Sequence, residues 1–345
     1  MTDAAHIQAL TQRKKDVDRE VRRQLTQSLK RLVTSSDGSP EYHNAVQELL
    51  DTAQPEHVEL WMLSTWAPKA GLDTSSFVSW RTMLAAKTSH KGPQEPVWRV
   101  DDKRRAYEYV DSLGVRRPWI RSESLTLAAV TPEDAPFVLK PATGDASTGV
   151  FLVFNENQIF SVKDGNELTS WPELLDFANR LLLQGKVARD SWIIEELVTE
   201  HVSGEKVPAS NLKFYSFYGE IMRVDEIRRF PKRSTDFFNS DGTRMEKIPF
   251  RTPQDERHAG LGFKPSDLET VKELSLNIPA AFVRIDMLRS DEGLVFGEFT
   301  PAPGTAAHLT SDWDIRMGRA HLSAQLRLQQ DLLSGKDFGK FWSDQ

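Results

Sequence analysis

Residues 282–304 read FVRIDMLRSDEGLVFGEFTPAPG, a pattern that predicts two short strands joined by a tight turn at Asp291-Glu292-Gly293. Gly293 suits the left-handed position of a three-residue hairpin loop. That loop fixes three opposed pairs: Ser290 with Leu294, Leu288 with Phe296, and Asp286 with Glu298. The hairpin therefore sets two carboxylates directly opposite each other.

The opposed carboxylates require a neutralising partner. Side chains alternate along a strand, so Arg284 and Thr300 share the face of Asp286 and Glu298. Like charges about 5 Å apart on facing strands are destabilising. A divalent cation with oxygen ligands, such as Mg²⁺, would neutralise the pair, and so would Arg284 with other nearby cations; spacing alone leaves both open. Repulsion also predicts that neutralising either carboxylate costs the hairpin little stability.

The composition narrows the class of protein. The 345 residues are enough for two or three domains, and 39% hydrophobic and 27% charged residues are typical of a globular protein. A net charge of −6 argues against nucleic-acid binding as the main function. The absence of cysteine excludes thiolate chemistry and favours a reducing compartment. With no apolar run of about 20 residues and no signal-peptide pattern, we expect a cytoplasmic protein without a membrane span.

The first ninety residues carry a helical pattern. Apolar residues recur at helical spacing over 6–33, a second helix is predicted over 41–52, and the tryptophan-rich stretch 58–86 predicts further helix. We see no strand pattern before residue 92. The region is interpreted as an α-helical cap or a dimerisation arm.

A glycine-containing loop lies between two predicted strands, 137–140 and 150–154. Its small residues would let backbone N–H groups approach phosphate oxygens closely. Lys140 directly precedes the loop, whereas Val150 stands where a P-loop requires lysine. The loop is either a lid over phosphates or an ordinary hairpin loop. Lys103, in the first turn of a helix predicted over 101–113, indicates an anionic partner or a solvated surface residue.

Two further strands, 212–218 and 221–227, are predicted to form a hairpin through Gly219-Glu220. That register places two pairs opposite each other: Lys213 with Glu226, and Ser216 with Arg223. Four cations follow in a run that fits either a solvated loop or an anion-binding segment: Arg228, Arg229, Lys232 and Arg233. Capping boxes at 170–173 and 266–269 predict two helices, and 314–334 predicts a third.

The order of these features resembles the ATP-grasp superfamily, and most closely its TupA-like (teichuronopeptide-biosynthesis) family. The likeness covers roughly residues 98–320 and is carried by the following stretches: Asp102-Lys103 with Tyr109-Val110, 137–144, 194–198, 211–214 with 217–219, 282–286 and 296–300. The resemblance implies an α+β ATP-grasp fold, in which two α+β subdomains sandwich ATP, with an extra α-helical N-terminal region. The implied boundaries are 1–95, 96–200 and 201–345.

The resemblance also implies the cofactors, ATP and Mg²⁺, and the residues that contact them. The implied nucleotide contacts are Lys103, Lys140, Thr143, Gly144, Ser147, Thr148, Gly149, Glu195, Glu196, Leu197, Val198, Glu200, Asn211 and Lys213. The implied metal ligands are Asp286, Glu298 and Thr300. The resemblance makes Arg284 a contact of a phosphate or acyl phosphate and Lys213 the lysine on the strand under the nucleotide, and we expect both to be catalytic. Apart from the resemblance, four arginines indicate an anionic acid or acceptor: Arg223, Arg228, Arg229 and Arg233. Asn211 stands where the family pattern has Asp, which leaves the ribose contact open between Glu200 and Asn211.

The activity implied is an ATP-dependent carboxylate–amine ligase that forms an amide through an acyl phosphate, a reaction that needs no side-chain nucleophile. The enzyme would add an amino acid to a carboxylate of a cell-surface polymer, a natural product or a peptide, so the acid and the amine would be small molecules or peptides. Two alternatives stay open: a phosphotransferase on the same scaffold, and a non-catalytic nucleotide-binding protein. Self-association through the N-terminal helices is also expected.

Overall fold

The computed structural model describes the chain in ten segments: residues 3–34, 38–54, 57–59, 61–74, 77–89, 95–143, 147–251, 253, 255–304 and 308–342. The chain forms two compact units. One comprises Met1–Ala85 with Ser311–Arg319, and the other comprises Ala86–Thr310 with Ala320–Gln345. Among the described residues, no helix is both long enough and apolar enough to cross a bilayer.

The first unit is helical, as the apolar spacing predicted. Its elements are α1 (Asp3–Thr34), α2 (Pro40–Thr52), a π-helical turn (Met62–Trp66), α3 (Ala67–Lys69) and the start of α4 (Trp80–Ser89). Leu25 and Leu29 of α1 are fully buried against Val46, Leu50 and Met62. No strand occurs in the described part of the chain before residue 95, in agreement with the sequence pattern.

Residues 311–319 also belong to this unit, and Asp314 among them bonds to its helical part. Its carboxylate is buried and accepts hydrogen bonds from the Ser79 hydroxyl, the Arg81 backbone N–H and the Arg81 guanidinium, each at 2.8 Å. A charged group that leaves water is stabilised by such charge-assisted bonds. Residues 311–319 form the first part of helix α8 (Ser311–Leu333), and the rest of this helix belongs to the second unit.

The second unit contains two six-stranded sheets. The first sheet has the order β1-β6-β2-β3-β4-β5, in which every pairing is antiparallel. The strands are β1 (Ile120–Leu125), β2 (Phe137–Pro141), β3 (Phe151–Asn155), β4 (Gln158–Ser161), β5 (Asn166–Leu168) and β6 (Trp192–Glu196). Helix α6 (Trp171–Leu183) accompanies it, whereas α5 (Lys103–Ser112) contacts the second sheet. As predicted, Ser170 caps α6, and Leu174 and Ala178 bury its apolar stripe against Trp192.

The second sheet has the order β12-β11-β10-β9-β13-β14. Its strands are β9 (Asn211–Phe217), β10 (Glu220–Arg228), β11 (Ser234–Asn239), β12 (Glu256–Arg257), β13 (Val283–Ser290) and β14 (Gly293–Thr300). Helix α7 (Pro265–Leu276) packs on this sheet through Val271 and Leu274. Strands β7 (Thr199–Val202) and β8 (Glu205–Pro208) form a separate hairpin, and helix α9 spans Gly339–Trp342. The predicted cap at Ser266 was wrong, because Asp267 accepts from the Lys264 backbone N–H at 2.7 Å.

The hairpin β9–β10 turns one residue earlier than predicted. Tyr218 and Gly219 occupy the turn, with φ of +44° and +84°. A type I′ turn needs positive φ at both central positions, and glycine commonly occupies the second. Ser216 therefore faces Ile221, and an irregularity between Ile221 and Arg223 adds one residue to β10, so that Lys213 faces Asp225. The two predicted pairs, Lys213 with Glu226 and Ser216 with Arg223, were wrong.

The hairpin β13–β14 keeps the predicted Asp286–Glu298 pair but reaches it differently. The turn contains two residues, Asp291 and Glu292, so Ser290 faces Gly293 rather than Leu294. An irregularity at Gly297 then adds one unpaired residue to β14, which restores the expected pairing beyond it. A Cβ at Gly297 would lie 3.0 Å from the Asp286 carbonyl oxygen, a tight contact that favours glycine at this bulge.

The bulge separates the two faces of the hairpin. Met287 faces Phe296, whose ring lies 4.6 Å from that of Phe299 on the apolar side. Beyond the bulge, Glu298 faces Asp286 on the opposite, charged side. The extra residue is thus what allows Phe296 to pack in the core while Glu298, two positions later, points away from it.

Candidate active site

A cleft of about 890 Å³ lies between the two sheets of the second unit. The first sheet contributes residues such as Lys140 and Glu195, and the second contributes Lys213 and Glu298. The volume is within the range of pockets that bind small molecules and cofactors.

Most of the residues singled out in the sequence lie along this cleft. They are Lys103, Lys140, Ser147, Thr148, Glu195, Glu196, Leu197, Val198, Asn211, Lys213, Arg284, Glu298 and Thr300. They come from segments far apart in the chain, which the two sheets bring together. The structure thus places one continuous surface where the sequence indicated separate motifs.

Several other predicted residues do not line the cleft. Thr143 and Gly149 lie beside it, and Gly149, at φ +72°, backs onto Pro141. Gly144 is outside the described residues. Glu200 is buried and engaged, because its carboxylate accepts from the Ser210 N–H at 2.8 Å and from the Arg289 Nε at 2.5 Å.

The two arginines expected to meet an anionic substrate are also placed elsewhere. Arg223 is fully buried, forms an ion pair with Asp225 at 3.1 Å and stacks on the Tyr215 ring at 3.9 Å. Arg228 does not line the cleft, whereas its neighbour Arg229 does. Arg228 ends β10 and Arg229 directly follows the strand, and of the two only Arg229 lines the cleft.

Lys103 and Lys140 provide positive charge at one end of the cleft. Lys140 forms an ion pair with Glu195, and both side chains are largely buried. Burial lowers the pKa of Lys103, and the neighbouring charge of Lys140 lowers it further. Two cations held this close favour the binding of an anion between them.

Asp286 lies at the centre of the charged face. It is fully buried and accepts hydrogen bonds from Lys213 and from two nitrogens of Arg284, the latter at 2.6 and 2.8 Å. Burial alone would raise the pKa of Asp286, but Arg284 and Lys213 lower it to about 2. The side chain is therefore a carboxylate that counterbalances two buried cations.

Glu298 has a different environment. Its side chain is half exposed in the cleft and its nearest cation is Arg284, whose Nη2 lies 3.4 Å from the carboxylate. Enclosure in the cleft and repulsion from Asp286 raise the pKa of Glu298. A positive charge near Glu298 would offset both effects. The Thr300 hydroxyl accepts from Arg284 at 2.8 Å on the same face.

These residues fit a Mg²⁺ ion. A carboxylate offers about four lone-pair positions, of which Asp286 uses three on Arg284 and Lys213. Glu298 uses one, so the pair retains oxygen sites. The described residues contain no group of three or more His, Cys, Asp or Glu side chains arranged for a metal. Mg²⁺ tolerates so few protein ligands because it keeps waters and substrate phosphates.

Sequence reasoning missed the apolar walls of the cleft, which are formed by Val138, Leu152 and Leu288. Val138 shows the available signal, since its side chain lies two residues before Lys140 on the same side of β2. Arg229, which the sequence placed in a cationic run, also lines the cleft and donates to the Ser147 hydroxyl at 2.9 Å.

Comparison with known proteins supports the architecture. The family model "TupA-like ATPgrasp" matches residues 81–321. A search of curated proteins gives no match. Among solved structures, the chain is similar to D-alanine–D-alanine ligase from Bacillus anthracis complexed with ATP (15% identity, 69% of each chain covered, TM-score 0.36).

Two peptide-related structures are similarly distant. ATP-grasp ligase PsnB, complexed with minimal precursor, Mg and ADP, has 12% identity over 83% of this chain and 74% of its own, with a TM-score of 0.38. Macrocyclase MdnC from Microcystis aeruginosa, bound to the precursor peptide MdnA, has 15% identity over 71% and 67%, with a TM-score of 0.33. We base the assignment on the family match alone. That match covers more than half of the chain, so the protein belongs to the TupA-like ATP-grasp family, whose cofactors are ATP and Mg²⁺.

Proposed function

We propose that this protein is an ATP-dependent carboxylate–amine ligase that forms an amide bond through an acyl-phosphate intermediate. One observation carries the proposal: a nucleotide-sized cleft is lined by Glu298, Lys213 and Arg284. Asp286, which faces Glu298 and pairs with both cations, is buried directly behind them. Phosphoryl transfer is catalysed mainly by positioning and by neutralising charge, and these are the groups it requires.

The nucleotide base would lie at the Glu196–Val198 end of the cleft, between the apolar side chains of Val138 and Leu288. The ribose would meet Asn211, because the Asn211 Oδ1 atom is buried and accepts no hydrogen bond from any described residue. A buried acceptor without a donor is unfavourable, and a ribose hydroxyl would satisfy it. Glu200 is a poor candidate since its carboxylate is already engaged.

The phosphates would extend toward Lys103 and Lys140, under the segment that carries Ser147 and Thr148. Glu298 and Asp286 would hold Mg²⁺, with Thr300 alongside. When bound, the metal supplies Lewis-acid stabilisation of the phosphoryl oxygens. The protein's own cations at Lys213 and Arg284 stabilise negative charge at the reacting end.

The reaction uses three substrates, ATP, an acid and an amine, and proceeds in two steps. A carboxylate oxygen attacks the γ-phosphorus of ATP and ADP leaves; an amine then attacks the acyl carbon and inorganic phosphate leaves. Arg284 and Arg229 are positioned to orient the acid at the end of the cleft. Orientation of this kind replaces part of the entropy cost of bringing reactants together.

The decisive experiment screens pairs of acids and amines for ADP release by the purified chain. We expect ADP to form at a substantial rate only when both an acid and an amine are present. ADP formation that needs one acceptor and leaves a stable phosphorylated product would favour a phosphotransferase instead. No ADP with any acceptor, together with intact nucleotide binding, would favour a non-catalytic protein.

Lys140→Ala tests the nucleotide site separately. Loss of one phosphate-binding cation should weaken Mg²⁺–ATP binding by at least about tenfold, since hydrogen bonds to charged groups contribute about 1.5–3 kcal/mol. Titration calorimetry measures the change. Lys186→Ala, at an exposed lysine outside the cleft, is the matched control. Equal affinities in the two variants would remove Lys140 from the site.

A further inference from the structure

A second cavity, here called the side pocket, continues the charged face of the second sheet away from the carboxylate pair. It has a volume of about 160 Å³ and is lined by residues of β9, β10, β11, β12 and β13 and by Ile248, Phe250, Pro253 and Asp255. Lys213, Arg229 and Arg284 line both the cleft and the side pocket. The side pocket therefore opens at the point where the acid would react.

The interior of the side pocket is apolar. Tyr215, Ile227 and Phe237 form the sheet side, while Ile248 and Phe250 approach from the segment beyond β11. A dry cavity of about 150 Å³ lined by aliphatic and aromatic groups accommodates a molecule the size of benzene. The side pocket is thus large enough for an aryl or branched-alkyl group and too small for a nucleotide.

The mouth of the side pocket is cationic. Lys213 and Arg284 are paired with Asp286, and Arg233 is paired with Asp255. Arg229 differs, because no described carboxylate lies within ion-pairing distance of it and it donates to the Ser147 hydroxyl at 2.9 Å. Burial lowers the pKa of Arg229, and Arg233 beside it lowers it further, so an anion at this position would be favourable.

The acidic groups of the side pocket are not available to a ligand amine. Asp225 is paired with Arg223, and Asp255 accepts from both Arg233 and Thr235 at 2.8 Å. An amine entering here would meet the charge of Arg229, near which no described carboxylate lies within ion-pairing distance. These charges favour an acid with its carboxylate at the mouth and its apolar group inside.

We propose that the acid substrate carries an aryl or branched-alkyl group that occupies the side pocket, with its carboxylate held by Arg229 and Arg284. This inference rests on the proposed ligase function, because it identifies the acid with the side-pocket ligand. Arg223 supports the pocket from behind, since its guanidinium lies 3.9 Å from the Tyr215 ring and 4.8 Å from the Phe250 ring.

The test measures binding to the full-length chain by calorimetry, with and without Mg²⁺ and a non-hydrolysable ATP analogue. The probes are hydrocinnamate, propionate, glutarate and hydrocinnamyl alcohol. Hydrocinnamate should bind at least about tenfold more tightly than propionate, because filling an apolar pocket discriminates by this much per group. Glutarate, of similar length but with a second charge, should bind more weakly than hydrocinnamate.

Two variants separate the parts of the site. Ile248→Trp fills the side pocket and should abolish the preference for hydrocinnamate, while Leu261→Trp, at an exposed position outside the pocket, should retain it. Arg229→Gln should weaken hydrocinnamate by roughly 10-fold or more and leave hydrocinnamyl alcohol unchanged. Circular dichroism checks that each variant is folded.

The outcomes distinguish this inference from the proposed function. If the ATP analogue binds but hydrocinnamate binds no better than propionate or glutarate, or Ile248→Trp leaves the preference intact, the side-pocket inference is wrong. If the analogue does not bind, the ligase proposal fails, whereas the preference measured without nucleotide still tests the pocket. A preference that appears in wild type and in Leu261→Trp but not in Ile248→Trp supports the inference.

Discussion

Changing each of the two facing carboxylates of the β13–β14 hairpin to its amide should affect the stability of the fold very differently. Asp286 is fully buried between Arg284 and Lys213, so Asp286→Asn leaves two buried cations without a counterion. Removing one partner of a buried ion pair costs about 3–5 kcal/mol. Glu298 is half exposed and its one arginine contact is 3.4 Å long, so Glu298→Gln should change stability by less than about 1 kcal/mol.

These magnitudes translate into a measurable difference in melting temperature. A domain of roughly 150–250 residues shifts by about 2–4 °C per kcal/mol, so Asp286→Asn should melt about 6–20 °C below wild type and Glu298→Gln within about 4 °C. This corrects the expectation from the sequence that neutralising either residue is tolerated, because that argument treated repulsion as the dominant interaction. The structure shows Asp286 to be held by attraction to Arg284 and Lys213.

Addition of Mg²⁺–ATP completes the experiment. A ligand at 100 times its Kd stabilises the folded state by about 2.7 kcal/mol, and wild type should gain several degrees. Glu298→Gln should be folded yet gain little, and its turnover should fall by orders of magnitude, since metal stabilisation contributes several kcal/mol. An equal gain in Glu298→Gln and wild type would refute the metal assignment. Unchanged melting of Asp286→Asn would refute the ion-pair argument.

Three further predictions concern other parts of the chain. Deleting residues 3–13, an exposed stretch of α1, should alter the oligomeric mass measured by light scattering without changing the free energy of unfolding in urea. Leu29→Ala, at a fully buried position, should lower that free energy by about 2–5 kcal/mol. The opposite pattern would exclude an association role for residues 3–13. Gly219→Ala should destabilise the fold by at least about 1 kcal/mol more than Gly204→Ala. Both glycines have positive φ, but only at Gly219 would a Cβ meet a neighbouring leucine, at 2.8 Å. Equal losses of stability in the two variants would contradict this packing argument. Burial, and then a nearby lysine charge, lowers the pKa of His321 from 6.5 to about 4. Because the unfolded chain binds the extra proton in this range, the free energy of unfolding of wild type should fall by up to about 3 kcal/mol between pH 6.5 and pH 4. His321→Asn should lose less stability over the same range, and parallel pH profiles for the two proteins would exclude His321 as the cause.

Local elements of this fold were accessible from the sequence because their signals are local. The Ser170 cap and the apolar stripe behind it identify α6 without reference to any other part of the chain. The Asp286–Glu298 pairing was also predicted correctly, although by a register with a longer turn and no bulge. The two differences cancel, which is why the site was found despite the wrong details.

The remaining features depend on contacts that no local pattern encodes. Strand β6 lies between β1 and β2, and β9 lies between β10 and β13, so each sheet is assembled from distant segments. The side pocket is closed by residues such as Phe250, in a segment without strand or helix periodicity. The engagement of Glu200 by Arg289 likewise appears only when β13 is placed beside β7.

The bulge at Gly297 decides which face of the hairpin carries Phe296. The same sequence with a three-residue turn and no bulge would also place Asp286 opposite Glu298, as in the register expected from the sequence. Phe296 would then lie opposite Leu288, two residues from Asp286 on the same strand face, and its phenyl ring would enter the charged cleft. Homologous hairpins should therefore be aligned by which face each side chain occupies, since alignment by residue count from the turn would equate an aromatic core residue with a position in the active site.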